Sequence, residues 1–268
     1  MKPKEILVFG ASGQIGRHLI RKLTKNNYKV VAVTRNIHQK GYILKTQANP
    51  GYLEIVELTY FNIEKIKNLV KECSICINLI GILFEKRKNF FKNIHTDFPD
   101  LLSKLSAKQN IEKLIHISSL GIEKSLDSNY AISKLDGENK IKNNFDRAVV
   151  LKPSIVYSVD DKFTTNFMTL LNRLPIIPIY YEGKTKFAPI HVTDLVQIIF
   201  DVVQGKTNEQ TIECIGPEIF SFKEIILKLL KTIDKKRLLI PLPLVIAKMM
   251  AKIFEIMPNP LITVDQIN

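Results

Sequence analysis

Three glycines, each separated from the next by two residues, constrain this chain more than any other feature. "ILVFGASGQIGRHLI" (6–20) sets Gly10, Gly13 and Gly16 between an apolar run and an amphipathic helical pattern. Gly10 permits a tight turn out of a strand. Gly13 lets a ligand approach the backbone, and Gly16 lets the helix pack close to the sheet. A helix starting here aims free N–H groups and its positive dipole end at whatever lies over the turn, which suits a pyrophosphate. A glycine turn that holds nothing is the bland alternative, and the strand–turn–helix context argues against it.

The sequence after this turn keeps alternating between two periods. Apolar runs at 5–10, 29–34, 52–58, 74–81, 113–119 and 147–153 are separated by helical patterns over roughly 14–26, 36–47, 62–71, 89–109 and 129–144. Runs rich in Val, Ile and Leu without polar alternation are strands buried on both faces. Alternation of such strands with helices builds βαβ units with right-handed crossovers. The predicted fold is therefore α/β, a doubly wound parallel sheet of Rossmann type, over residues 1–153. Beyond it come a helical stretch at 161–174, a proline-broken stretch at 175–190, and a helix over 191–205 that stops at Gly205. A strand-like run at 210–216 follows, then a helix over 221–233 whose Ser221 and Glu224 have capping-box spacing. An apolar helix is expected over 242–257, covering the core or lying on a membrane or docking surface. Residues 154–268 are expected as a smaller α/β part packed directly on the first, with a substrate cleft between the two.

Composition removes several function classes. Lysine supplies 32 of the 39 basic residues behind the net charge of +13, and they are scattered. No basic tract interleaved with aromatics occurs, so no nucleic-acid partner is expected. The charge suits solvated lysines, an acidic partner, an anionic membrane surface or a phosphate-rich ligand. Cys73 and Cys76 form a C-x-x-C, but no second pair completes a zinc ribbon, and "CSICINLIG" (73–81) reads as a buried strand. The histidines have no metal-like spacing, and no metal site is expected. In "HVTDL" (191–195), Thr193 or Asp194 reads as a helix start and His191 as a packing contact. Neither a signal peptide nor an apolar run of ~18–20 residues is visible. The expected location is cytoplasmic, with a peripheral position on the inner face of the cytoplasmic membrane as its variant.

Two positions bear on chemistry. The second strand ends in "VTRN" (33–36), with no Asp or Glu between Glu5 and Glu54. A carboxylate at this strand tip would hold the ribose hydroxyls of NAD. Arg35 stands there instead, and a guanidinium suits a 2′-phosphate, so NADP(H) is favoured over NAD(H). In "NYAISKLDGE" (129–138), Tyr130 and Lys134 share one helical face. A lysine beside a tyrosine stabilises the phenolate, whose ordinary pKa of ~10 is otherwise too high for acid–base work near neutrality. The same lysine can hold a ribose when no reaction takes place.

The glycine turn, "NLIG" (78–81), "ISS" (117–119), Tyr130-x-x-x-Lys134 and "LKPSIVY" (151–157) stand in the order found in the short-chain dehydrogenase/reductase superfamily, and the chain resembles its extended or atypical branch. Within that branch the likeness is to the NAD(P)H-binding accessory subunits of respiratory complex I and their bacterial relatives. "INLIGILFE" (77–85), "IEKLIHISSLG" (111–121), "PIHVTDLV" (189–196) and the proline-flanked C-terminal stretch 240–267 carry it. The resemblance implies that Gly10, Ser12, Gly13, Gln14, Ile15 and Gly16 line the pyrophosphate, and that Thr34 and Arg35 meet the adenosine ribose. It implies that Leu79, Ile80 and Gly81 pass the cofactor's middle, that Tyr130 and Lys134 face the nicotinamide ribose, and that Pro153, Ser154 and Ile155 border the nicotinamide. Two stretches depart from the family pattern. Thr59 and Tyr60 stand where many relatives carry an Asp near the adenine. Leu120 stands where active members often place the hydroxyl that holds the substrate, and Ser119 or Ser118 would fill that role only with a shifted loop.

Beside a redox-sensing regulator that binds NADP(H) and a protein partner, two readings remain. One is an NADP(H)-binding protein that supports assembly or stability of respiratory complex I, at the complex or at the membrane surface. The other is an NADP(H)-dependent oxidoreductase or a sugar-nucleotide epimerase/dehydratase, with Tyr130, Lys134 and Ser119 as its catalytic residues.

Overall fold

The structure, a computed structural model, describes residues 5–85 and 90–243 together with Met249, Lys252 and Asp265. Strand and helix alternate as β1 (Glu5–Phe9), α1 (Gln14–Lys25), β2 (Lys29–Thr34), α2 (Ile37–Lys45), β3 (Leu53–Glu57), α3 (Ile63–Glu72) and β4 (Ile75–Asn78). A π-helical turn, Lys92–Asp97, leads into α4 (Phe98–Lys108), followed by β5 (Lys113–Ile117), α5 (Asn129–Asn144) and β6 (Ala148–Pro153). Shorter elements come next: β7 (Val156–Tyr157), α6 (Lys162–Arg173), β8 (Ile176–Ile179), β9 (Lys186–Phe187) and β10 (Ile190–His191). The described chain closes with α7 (Val192–Val203), β11 (Thr211–Cys214), β12 (Phe220–Ser221), α8 (Phe222–Thr232) and β13 (Leu238–Pro241).

Seven parallel strands form the central sheet in the order β11-β6-β5-β4-β1-β2-β3. The winding reverses between β1 and β4, which leaves a crevice at their C-terminal ends. The uniform apolar character of the strands is used on both faces. Ile6 and Val8 face the layer formed by α1, α2 and α7, while Leu7 and Phe9 face that of α3, α4 and α5. The sheet continues past Pro153, because β11 pairs with β6 from Thr211↔Val150 to Cys214↔Pro153. A third, small core of Leu171, Ile177, Ile226 and Leu230 lies between α6, α8 and the β8–β13 ladder. The Ser221–Glu224 capping box that opens α8 is present.

Three elements differ locally from the sequence pattern, each for a visible reason. The helix expected from residue 89 is a π-helical turn before it becomes α4. Pro99 has no N–H for the carbonyl of His95 four residues back, so the regular ladder fails there. Gly137 of α5 packs against that carbonyl, since a Cβ on Gly137 would stand 1.9 Å from His95 O. The strand expected over 74–81 stops at Asn78, whose side-chain oxygen accepts the Ile80 N–H at 3.1 Å and turns the chain out of the sheet. The cap of α7 is His191 rather than Thr193 or Asp194. Its Nδ1 lies 2.6 Å from the Thr193 hydroxyl and accepts the Thr193 N–H, as a capping oxygen would. The helix expected over 242–257 and the proline-flanked tail lie outside the described residues, apart from Met249, Lys252 and Asp265. Among the described residues, no helix is long and apolar enough to cross a membrane.

Candidate functional site

The glycine turn joins β1 to α1 at the mouth of the crevice. Gly10 has φ +76°, and a Cβ there would meet the Leu79 carbonyl carbon at 3.0 Å, so the ends of β1 and β4 are in close contact. A Cβ on Gly16 would lie 2.4 Å from the Ala11 oxygen. Side chains cap α2, α3, α5, α6 and α8 at Asn36, Asn62, Ser128, Asp161 and Ser221, but none caps α1, whose N-cap is Gly13. The leading N–H groups of α1 are thus left for an anion. Gln14 reaches away from the turn and donates to Ser158 Oγ at 2.9 Å, and Arg17 pairs with Asp160 at 2.5 Å. The segment after β7 is thereby strapped to the start of α1. Ile15 packs against the sheet core.

At the β2 tip, Thr34 Oγ1 donates to Ser12 Oγ at 3.2 Å and links strand to turn. Arg35 is exposed, and no ion pair holds it among the described residues. Strand register brings one carboxylate here, that of Glu57 opposite Thr34, and it accepts the Ile37 N–H at 2.9 Å. A cavity of about 270 Å³ opens beside it, lined by Glu57, Leu58, Thr59, Tyr60, Asn62 and Lys65. Thr59 and Tyr60 are thus among the residues that line this opening.

The opposite end is more enclosed. Lys134 is 4% exposed, and its Nζ donates to the Ile117 carbonyl at 3.0 Å. Burial lowers its pKa to about 8, while the Glu138 carboxylate one turn along α5 pushes it back up. The ring of Tyr130 lies 6.0 Å from the Lys134 ammonium. Burial raises the Tyr130 pKa, hydrogen bonding with the Ser119 side chain lowers it, and the Asp265 carboxylate adds to the rise. Asp265 also accepts the N–H groups of Asn129 at 2.6 Å and Tyr130 at 3.1 Å, closing the N-terminus of α5. Ser119 thus reaches Tyr130 without any residue at position 120 supplying the hydroxyl. The Leu120 N–H is bonded to Pro153 O at 3.0 Å. A Cβ on Gly81 would stand 3.5 Å from Lys134 Nζ, so the absence of a side chain there leaves the lysine reachable.

Several residues of this end were not singled out by the sequence pattern. His95 Nε2 accepts the Ile82 N–H at 3.1 Å, which puts the ring proton on Nδ1, 3.0 Å from Ser133 Oγ; that hydroxyl donates to Tyr130 O. Burial, then the Lys134 charge, lowers the His95 pKa to about 3, so the ring stays neutral. Asn78 Nδ2 donates to His116 Nδ1 at 3.1 Å while its oxygen fixes Ile80. The signal available in the sequence was a polar Asn at the end of an apolar run and a Tyr–Lys–Glu series at four-residue spacing. Pro153, Ser154 and Ile155 leave β6 beside this end. Ser154 Oγ accepts the Ala188 N–H at 3.3 Å, and Ile155 O accepts the Ile190 N–H at 2.9 Å. Cys73 and Cys76 are buried, and burial pushes the Cys73 thiol up to about 12, so the pair has no reactive thiolate. Among the described residues, no cluster of His, Cys, Asp and Glu could hold a metal ion.

A doubly wound sheet, a glycine turn at its switch point and a Ser–Tyr–Lys group at the end of β5 define a protein of the extended short-chain dehydrogenase/reductase class. Residues 6–215 match the NAD dependent epimerase/dehydratase family, and the chain belongs to that family. It is 24% identical to the 40 kDa mitochondrial subunit of NADH-ubiquinone oxidoreductase from Neurospora crassa over 262 residues, covering 97% of this chain and 68% of that one. It is 27% identical over 274 residues to the mitochondrial NADH dehydrogenase (ubiquinone) 1 alpha subcomplex subunit 9 of Arabidopsis thaliana, with the same coverage of 97% and 68%. The chain spans about two thirds of the length of these relatives. Its fold matches the UDP-glucuronic acid 4-epimerase of Bacillus cereus, solved with UDP-glucuronic acid and NAD, at a TM-score of 0.73 and 22% identity over 89% of this chain and 86% of that one.

Proposed function

We propose that the protein binds a nicotinamide dinucleotide along the crevice, NADP(H) in preference to NAD(H), and acts as an accessory component in the assembly or stability of respiratory complex I. One observation supports the binding most: the glycine turn and the uncapped start of α1 lie at the switch point between β1 and β4, where Gly10 packs on Leu79 and, two residues on, Gly81 lies against the Lys134 ammonium. The turn fits a pyrophosphate: a Cβ at Gly10 or Gly16 would clash with neighbouring backbone, so the turn stays tight, while a Cβ at Gly13 would meet only Gly10 O, at 3.2 Å, and the α1 N–H groups carry no side-chain cap. In this reading Ser12, Gly13 and the main-chain N–H groups of Gln14 and Ile15 border the pyrophosphate, since the two side chains point elsewhere. Thr34 and Arg35 hold the phosphorylated ribose, Leu79 and Ile80 flank the middle, and Pro153, Ser154 and Ile155 border the nicotinamide. Tyr130 and Lys134 hold the nicotinamide ribose. The partner part of the proposal is supported by the names of the two mitochondrial relatives and implies a position on the inner face of the cytoplasmic membrane.

The hydroxyl of Ser119 beside Tyr130 favours a second reading, a reductase or sugar-nucleotide epimerase/dehydratase. A bound nicotinamide supplies the hydride chemistry. The chain's own part would be proton transfer at the Tyr130 phenol, with Ser119 orienting the oxygen and Lys134 favouring the phenolate. Tagged protein captured from native membranes decides between the two. Co-purification of complex I subunits is expected. A wholly soluble protein that oxidises NADPH with a carbonyl compound or nucleotide sugar overturns the first reading in favour of the second.

A further inference from the structure

A charged network lies buried beneath the nicotinamide end. Glu138 is 1% exposed and Lys152 7%. One carboxylate oxygen of Glu138 accepts from the Ser118 hydroxyl, and the other pairs with Lys152 Nζ at 3.0 Å. Lys152 also pairs with the more exposed Glu123. Burying two charges costs several kcal/mol per ion before their attraction is counted, and apolar residues of similar volume often serve stability as well or better. Stability alone therefore gives little reason for this pair.

Its placement gives a better one. Ser118 follows β5 and precedes Ser119. Glu138 sits on α5 one turn beyond Lys134, so the two share a face. Lys152 is the penultimate residue of β6, just before Pro153–Ile155. One carboxylate thus joins the three segments that carry the Ser119, Tyr130–Lys134 and Pro153–Ile155 groups. We propose that Glu138 is a positioning residue of the dinucleotide site, supplying the countercharge for Lys134 and tying α5 to the ends of β5 and β6. The proposal rests on the dinucleotide-binding reading above.

The surroundings of Lys134 leave this task to Glu138. Tyr130 faces it from the same helix, His95 from the π-helical turn, and His116 with the Ile117 carbonyl from β5. Burial lowers the pKa of both histidines, and the Lys134 charge lowers it further. They are neutral above the acid range. The Ile117 carbonyl solvates the ammonium, and among the described residues Glu138 is the charged group that offsets the burial of Lys134.

Two variants separate electrostatic positioning from simple structural support. Glu138→Gln keeps the shape and removes the charge, whereas Lys152→Met keeps the charge and removes its other partner. The NMR titration of the Lys134 Cε signal in ligand-free protein, assigned by its loss in Lys134→Met, reads the midpoint directly. Glu138→Gln is expected to move it about one pH unit or more to acid, and Lys152→Met to move it to alkali. NADPH affinity at pH 8 should fall at least about tenfold in Glu138→Gln. If both variants lose thermal stability and neither moves the midpoint, Glu138 is only a structural ion-pair partner and the proposal fails. If Glu138→Gln does not fold, Lys152→Met decides: an unmoved or acid-shifted midpoint overturns the proposal. If the variants show these midpoint shifts but the wild-type protein does not bind NADPH, the functional reading fails and the Glu138–Lys134 coupling stands.

Discussion

At one end of the crevice Lys134 is 4% exposed, its ammonium fixed on a main-chain carbonyl, with two neutral histidines and one carboxylate around it. At the other end Arg35 stands in solvent with no ion pair among the described residues. Both are cations placed to meet a nucleotide, yet they differ in kind. The Lys134 charge is costly to hold, weakly screened by salt and sensitive to each neighbour. The Arg35 charge costs nothing to hold and is correspondingly weak and salt-dependent. The enclosed end can be tuned by groups that never touch a ligand, while the open end acts only through direct contact. Whether the molecule uses that difference can be tested by disturbing each end in turn.

The largest effect is expected where the enclosed end is assembled. Gly137→Ala would place a Cβ 1.9 Å from the His95 carbonyl oxygen and force α5 away from the π-helical turn. A loss of about 3 kcal/mol is expected, read as a fall in Tm of roughly 10 °C by circular dichroism. A variant melting with the wild type would show that α5 is not fixed by this contact. Next comes Lys134→Met, which should weaken NADPH binding about a hundredfold, or ~2.7 kcal/mol, by fluorescence titration. The same variant carries a pH signature. Lys134 titrates at about 8 in the folded protein against an ordinary 10.5. Between those values the unfolded chain holds a proton that the folded one lacks, so wild-type stability gains with rising pH over that window. Lys134→Met should lack this gain when urea unfolding is compared at pH 7.5 and pH 10.

The enclosed end was only half legible in the sequence. Tyr130 and Lys134 announce themselves through helical spacing downstream of a glycine turn. Glu138 continues the same spacing, but a Glu on a helix is ordinarily a solvated residue, and only burial at 1% reveals the ion pair. His95 was invisible for a different reason. Its role depends on a π-helical turn, which arises because Pro99 lacks an N–H and Gly137 lies 42 residues away in the chain but against the same carbonyl. Periodicity cannot encode such a meeting. Six of the seven sheet strands were legible, because apolar runs buried in a sheet need no partner to be recognised. The pairing of β11 with β6 was not, since four residues after a proline-broken stretch carry no mark of the strand they will join.

The open end should respond less. Arg35→Asp is expected to weaken NADPH about tenfold, or ~1.4 kcal/mol, with NADH affinity unchanged or higher. The wild-type preference for NADPH should itself shrink as salt is raised. An NADPH affinity indifferent to Arg35→Asp would remove the 2′-phosphate assignment and leave Lys65, which lines the neighbouring cavity, as the next cation to change.

The smallest effect belongs to the strap over the start of α1. Arg17 and Asp160 pair at 2.5 Å, but their side chains are 26% and 44% exposed, so the pair is worth at most about 1 kcal/mol. The Ser158 hydroxyl lowers the Asp160 pKa first and Arg17 adds to it, so whatever the carboxylate contributes is present above the ordinary carboxylate range and lost as pH falls through the folded value. Asp160→Asn should therefore change urea stability by less than about 1 kcal/mol at pH 7. It should also raise NADPH affinity slightly, about twofold, because it frees a guanidinium and removes a carboxylate beside the phosphate turn. A large loss of affinity in Asp160→Asn would mean that the strap, and not the turn alone, shapes the phosphate site. The open end would then be as dependent on indirect positioning as the enclosed one, and the contrast between the two cations would not hold.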